Sequence, residues 1–264
     1  MYAGTIVPLV TPLGADGAVS ESDVDSLVGY VHRDVTALMP ALSSGEGEKL
    51  SERQWHDAVA ATVAHSRGLP VLAGILLPET GQVVRRARLA ERLGASAVVV
   101  GAPFGADVTQ AEILRHYQVL RDSLDVALFV YNESIKSANT IEPETLLRIL
   151  DLPGVVGIKE SSGSVDVTRR LLAADHAVPV FEGWENLLLE ARGVAGLIGP
   201  LANLEPAACN AMLADPCPER QDEIDELCKR FGIFTDDWYR CVKEELHTRG
   251  VIGSAYTVDE IRER

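Results

Sequence analysis

No stretch of the 264-residue chain approaches the roughly 20 consecutive apolar residues that a membrane-spanning helix needs. The opening residues 1–8 lack the basic stretch and apolar segment of a secretory leader. A soluble, cytoplasmic protein is the expectation. Basic residues are scarce: 24 Lys and Arg against 39 Asp and Glu give a formal net charge of −15. Nucleic acid and anionic membrane surfaces are bound by clustered cations that displace counterions, so neither is an expected partner. A small anionic substrate is not excluded, because backbone amides and one well-placed cation hold a carboxylate even in a repulsive global field. Cysteine is rare, and Cys209, Cys217, Cys228 and Cys241 have neither zinc-ribbon nor Cys-x-x-Cys spacing, so they read as reduced and structural. The six histidines (His32, His56, His65, His116, His176 and His247) form no His-x-x-x-His or His-Glu-x-x-His pair, and no metal is expected. The Gly-x-Gly-x-x-Gly turn of a doubly wound dinucleotide-binding sheet is missing after the first apolar run, where Pro8-Leu9-Val10-Thr11-Pro12 stands instead. No internal repeat, low-complexity tract or linker marks a boundary.

What is present is a rhythm. With 47% hydrophobic residues the chain can bury a full core, and a short apolar run, a polar turn and a stretch of helical periodicity recur about eight times. That is how a (β/α)₈ TIM barrel of the α/β class reads. Candidate strands cover residues 5–11, 37–42, 71–76, 97–100, 126–131, 155–158, 178–181 and 194–198. Helix starts carry capping-box chemistry at Ser51 with Gln54 and at Thr109 with Glu112, and Pro143 stands where a first helical turn needs no amide donor. Val24, Leu27, Val28 and Val31 follow the i, i+3, i+4, i+7 spacing of a helix with one apolar stripe. Beyond the eighth strand the segments 209–230 and 234–247 look helical. Residues 1–215 are therefore expected to form the barrel, and 216–264 a short C-terminal helical extension packed on it.

In such a barrel the C-terminal ends of the strands converge on one mouth. Three ends are chemically pointed. Lys159 closes an apolar run and reads as a lone amine at the end of a buried strand, where desolvation favours the neutral, nucleophilic form. The alternative is a solvated lysine paired with Glu160. Tyr131 would bring a phenol to the mouth as a proton relay or oxyanion donor, or else pack on a neighbouring loop. The turn Ser43-Ser44-Gly45 offers two hydroxyls and successive amides for an anion, or is an ordinary turn ahead of the helix at Ser51. Glu46, Glu133 and Glu160 lie near the same rim, where the default is a solvated or salt-bridged carboxylate.

Five segments, in order between residues 4 and 206, resemble the dihydrodipicolinate synthase and N-acetylneuraminate lyase family of class I, lysine-dependent aldolases. They are Pro8-Leu9-Val10-Thr11-Pro12, Ser43-Ser44-Gly45-Glu46, Val130-Tyr131-Asn132, Gly157-Ile158-Lys159-Glu160-Ser161-Ser162-Gly163, and Gly196-Leu197-Ile198-Gly199-Pro200-Leu201-Ala202-Asn203. The resemblance implies a lyase or aldolase in which Lys159 forms a Schiff base with pyruvate or a related 2-oxo acid and a carbon–carbon bond to an aldehyde is made or broken. It implies Lys159, Tyr131 and Ser43 as the catalytic set, with Tyr131 moving protons. Ser43, Ser44 and Gly45 would hold the carboxylate, Ile198 would supply a backbone carbonyl, and Gly183 would line the pocket at the seventh strand. No cofactor beyond the covalent imine is implied. Small-molecule substrates and a homo-oligomer, dimer or tetramer, are.

Departures from the family pattern sharpen the expectation. Where dihydrodipicolinate synthases usually carry two hydroxyl-bearing aromatic residues, this chain has Pro103-Phe104-Gly105, so that relay is incomplete. Ser134 replaces a family proline, and Lys136 aligns with the arginine that grips the aldehyde's carboxylate. Lysine is a point charge without arginine's two-pronged fork, so a second substrate other than that of a standard dihydrodipicolinate synthase is expected. The short appendage, expected to contribute to assembly, puts the usual tetramer in question. Two alternatives stand beside the aldolase: a sugar-acid dehydratase of the 2-keto-3-deoxy type using the same imine, with Glu133 or Ser134 serving the leaving group, and an inactive binding protein on the same fold.

Overall fold

Short runs of aliphatic residues, all but one of them followed by a helix, build eight parallel strands among the described residues. The computed structural model describes residues 2–263. In chain order the barrel elements are β1 (Gly4–Val7), α1 (Glu21–Val31), β2 (Ala37–Leu38), α2 (Glu52–Ala64), β3 (Leu72–Ile75), α3 (Thr80–Leu93), β4 (Ala97–Gly101), α4 (Gln110–Ser123) and β5 (Ala127–Asn132). They continue with α5 (Ser134–Ser137), α6 (Pro143–Leu150), β6 (Val155–Glu160), α7 (Val165–Ala173), β7 (Val180–Glu182), β8 (Gly196–Leu197) and α8 (Pro206–Ala214). The strand order is β2-β1-β8-β7-β6-β5-β4-β3, and a parallel bridge from Leu38 to Val71 joins the two edges. The sheet thus closes into the expected (β/α)₈ barrel.

The central strands are apolar at nearly every position because both faces are covered, one by the barrel interior and one by helices. In β5, Leu128 and Val130 face the helical layer, whereas Phe129 and Tyr131 face the interior with Val99, Phe181 and Ile198. This alternation carries the site. Gly157 pairs with Phe129 across β5 and β6, and a Cβ there would meet the Phe129 ring at 2.0 Å. Glycine at 157 lets that ring fill the barrel below Lys159, which occupies the next inward position.

Both predicted capping boxes form, Ser51 with Gln54 and Thr109 with Glu112, Pro143 occupies the first turn of α6, and Val24, Leu27, Val28 and Val31 are buried on α1. Two predicted strands end early. The first stops at Val7 rather than Thr11, at Pro8, and the second stops at Leu38, ahead of Pro40 and of Ala41 with φ +58. Proline has no amide to give the ladder, and a residue in the left-handed region leaves the strand altogether.

After β7 the chain makes only a 3₁₀ turn (Glu185–Leu187) instead of a full helix. The C-terminal segment fills in beside it. The predicted helix 209–230 is broken at Pro216 and Pro218, giving α8 and then α9 (Pro218–Arg230), because the residue before a proline avoids the helical region. Gln221 of α9 donates to the Glu185 carbonyl at 3.1 Å and accepts from the Leu189 amide at 2.9 Å. The predicted helix 234–247 starts later, as α10 (Trp238–Thr248), because Gly232 with φ +63 turns the chain at the end of α9. The last helix is α11 (Val258–Arg262).

A buried ion pair ties this segment back to the barrel. Lys243 of α10, fully buried, meets the equally buried Glu46 at 2.5 Å, and also donates to the Tyr256 carbonyl. The second Glu46 oxygen accepts from the Val258 amide at 2.8 Å. Of the two fates expected for Glu46 at the rim, solvated or salt-bridged, the second holds, and the pair is buried. Ile224, Cys228, Phe231, Val242 and Leu246 share one apolar cluster with Val7, Leu27 and Val28 of the barrel. All four cysteines are free, and among the described residues no helix is long and apolar enough to cross a membrane.

Candidate active site

The register of β5 and β6 sets Tyr131 directly opposite Lys159, and inward alternation points both at the barrel mouth. The Lys159 Nζ lies 4.8 Å from the centre of the Tyr131 ring. Lys159 is only 3% exposed and forms no ion pair among the described residues. Glu160, its expected partner under the solvated-lysine reading, instead accepts from Asn132 Nδ2 at 2.6 Å and from the Ser162 amide at 2.8 Å. Desolvation pushes the Lys159 amine down to about 8, with the charges of Glu133, Glu185 and Glu182 pulling the other way.

The turn after β2 delivers the hydroxyls. Ser43 Oγ lies 3.2 Å from the Tyr131 hydroxyl, which also donates to Glu133 Oε2 at 3.4 Å. Burial first, and then the Glu133 charge, push the Tyr131 phenol well up, which favours its neutral form. Glu133 is itself pushed up, chiefly by burial. Ser44 is buried, and its Oγ has no hydrogen-bond partner among the described residues. A buried hydroxyl left unpaired costs free energy that a bound acceptor would recover.

These groups open on one cavity of about 310 Å³. Its floor is Lys159, Tyr131, Ser43, Ser44 and Gly183, and Lys136 stands on its wall. Gly183 is required by a close approach, since a Cβ there would lie 1.8 Å from Ser161 Oγ. Two expected site residues stand outside the cavity lining. Gly45 packs beneath the serine turn, its carbonyl accepting from Thr11, and a Cβ there would meet the Ala41 nitrogen at 2.9 Å. Ile198 sits in the interior layer, its amide donating to the Glu182 carbonyl at 2.9 Å.

A family model described as the dihydrodipicolinate synthetase family matches residues 1–257. The chain belongs to the dihydrodipicolinate synthetase family. The 4-hydroxy-tetrahydrodipicolinate synthase of Thermomicrobium roseum is 33% identical over 218 residues, which cover 81% of this chain and 72% of that protein. That of Cereibacter sphaeroides is 31% identical over 217 residues, covering 79% and 73%. The solved dihydrodipicolinate synthase of Bacteroides thetaiotaomicron, 26% identical, superposes with a TM-score of 0.86 over 97% of this chain and 91% of that one. Members of the dihydrodipicolinate synthetase family are class I aldolase-type lyases, and this chain is an enzyme of that type.

Within this family member, several lining residues escaped sequence reasoning. Glu185, fully buried at the cavity, accepts from the Leu201 amide at 2.9 Å and is pushed up to about 6 by burial. Nearby Glu182, held by Thr168 Oγ1 and by the Gly183 and Trp184 amides, is pushed up to about 7, again by burial. The run Glu182-Gly183-Trp184-Glu185, two acids around a strand end, was the available signal. No comparable signal marked Ile233, Phe234, Asp236 and Trp238, which come from the C-terminal segment and complete the wall. Lys136 is engaged by Glu48 in an ion pair.

Proposed function

We propose that Lys159 forms an imine with pyruvate or a related 2-oxo acid, and that the enzyme makes or breaks a carbon–carbon bond between this acid and an aldehyde. Attack of the neutral amine on the C2 carbonyl and loss of water give the imine. Removal of a C3 proton stores the electron pair as an enamine, and C3 adds to the aldehyde carbon. The aldehyde oxygen takes up a proton, and water then releases a 4-hydroxy-2-oxo acid and restores Lys159. No redox step or external cofactor enters. Tyr131, hydrogen-bonded between Ser43 and Glu133, is the group positioned to pass protons, and the unpaired Ser44 hydroxyl is the donor for the acid's carboxylate.

The observation that carries this reading is a desolvated lysine without an ion-pair partner, facing a cavity beside a phenol. The assembled Lys159, Tyr131 and Ser43 set speaks against an inactive binding protein. Phe104 in place of a relay hydroxyl, and a Lys136 already engaged by Glu48, speak for a second substrate unlike that of a standard synthase. Glu133, lining the cavity with its carboxyl pushed up, favours a second reading in which the enamine expels a hydroxyl as water from a sugar acid. Retention of the full carbon skeleton in the product would mark that dehydration, and release of the 2-oxo acid plus an aldehyde would mark cleavage.

Intact-protein mass spectrometry after borohydride reduction with pyruvate, and then with other 2-oxo acids, tests the imine. A mass gain in the wild type that is missing in Lys159→Ala is the expected result. No adduct with any 2-oxo acid would refute it.

A further inference from the structure

The outer half of the cavity differs in character from its floor. Among the described residues three large apolar side chains are exposed, and two of them, Ile135 at 76% and Phe234 at 46%, line this one cavity. Exposed apolar side chains gathered at a concave mouth mark a binding surface. Trp184 and Phe234 stack there with ring centres 6.0 Å apart and planes inclined by 15°. The indole is fixed by its Nε1, which donates to the Ser161 carbonyl at 2.9 Å. Trp238 and Ile233 continue the wall.

The charges on the same wall point the same way. Among the described residues Lys136 and Lys159 are the only cations lining the cavity, and no arginine does. Lys159 is the nucleophile and Lys136 is committed to Glu48, while Glu133, Glu185 and Asp236 add carboxylates. Among the described residues an acidic aldehyde would find no free cation here, and it would bring its charge towards like charges, at a desolvation cost.

From this juxtaposition we infer that the second substrate is an uncharged aldehyde carrying an aromatic or branched apolar group, which packs on Trp184 and Phe234. The inference rests on the imine reading above and adds to it the class of the carbonyl acceptor. The reaction is the aldol addition already written, with no further reactant.

The test measures kcat/KM for addition to pyruvate of benzaldehyde and 2-methylpropanal against succinate semialdehyde, using an enzyme preparation first shown to be trapped by borohydride with pyruvate. A preference for the apolar aldehydes of about tenfold or more is expected, the discrimination that a modest apolar contact supplies. Phe234→Ala should raise KM for benzaldehyde about tenfold with a smaller effect on kcat, and Phe234→Tyr should restore it, because the ring supplies binding rather than chemistry. Equal use of both classes, a preference for succinate semialdehyde that Lys136→Met abolishes, or no turnover of apolar aldehydes by trappable enzyme would each overturn the inference. Absence of trapping would instead remove the imine reading, and this inference with it.

Discussion

Replacing Lys159 with methionine should stabilise the fold at neutral pH. An ordinary lysine ionises near 10.4, whereas the Lys159 amine is pushed down to about 8 by desolvation, with the attraction of Glu133, Glu185 and Glu182 already included in that balance. Between these values the unfolded chain holds a proton that the folded chain does not, so stability rises with pH across that interval. Below about 8 both states are protonated and the cost of burying the ammonium is present in full. At about 1.4 kcal/mol per pH unit, that cost is about 3 kcal/mol. Methionine matches the length of the lysine stem, carries no charge and fits an apolar position. Urea unfolding should therefore show Lys159→Met more stable by about 3 kcal/mol near pH 7, and by only about 1 kcal/mol near pH 9.5. A less stable variant, or a gain of equal size at both pH values, would refute the argument, because Lys159 would then be a structural cation rather than a desolvated amine.

The same value predicts a rate. Formation of the borohydride-trappable imine should fall about tenfold per pH unit below about pH 8 and level off above it, as the neutral fraction of the amine does; a rate that keeps rising to about pH 10 would indicate an ordinary solvated lysine. Lys243→Met leaves Glu46 buried without its counter-charge and should cost about 3–5 kcal/mol by urea unfolding, and adding Glu46→Gln to the same chain should recover much of that loss. Destabilisation that merely adds between the two sites would mean that the pair is not coupled.

The barrel was legible because its signals are local. Apolar runs bounded by turn residues located all eight strands, and Ser51, Thr109 and Pro143 marked helix starts with chemistry that works within one turn. The strand ends were less legible at β1 and β2. There the apolar pattern runs on to Thr11 and Leu42, while Pro8, Pro40 and the backbone of Ala41 break the ladder. The salt bridge expected as one fate of Glu46 forms, but its partner was not legible for a related reason: nothing in the polar turn points to Lys243, nearly two hundred residues later.

The floor of the site was legible, and its outer wall was not. Lys159 and Tyr131 stand at strand ends, where period-two alternation and parallel register alone decide that they face each other. Trp184 and Glu185 follow a strand whose helix is missing, so the periodicity that should have followed β7 gave no frame in which to place them. Residues 233–236 reach the cavity only because α9 packs into that gap through Gln221 and α10 is held to the barrel through Lys243. Neither contact has a sequence signature, since each joins groups tens to hundreds of residues apart. The division follows the chemistry: the proposed imine would depend on neighbours within the barrel register, whereas the surface proposed to select the aldehyde is completed by the appendage. Substitutions at Phe234 should accordingly separate aldehyde selection from imine formation, which substitutions at Tyr131 or Ser43 cannot do.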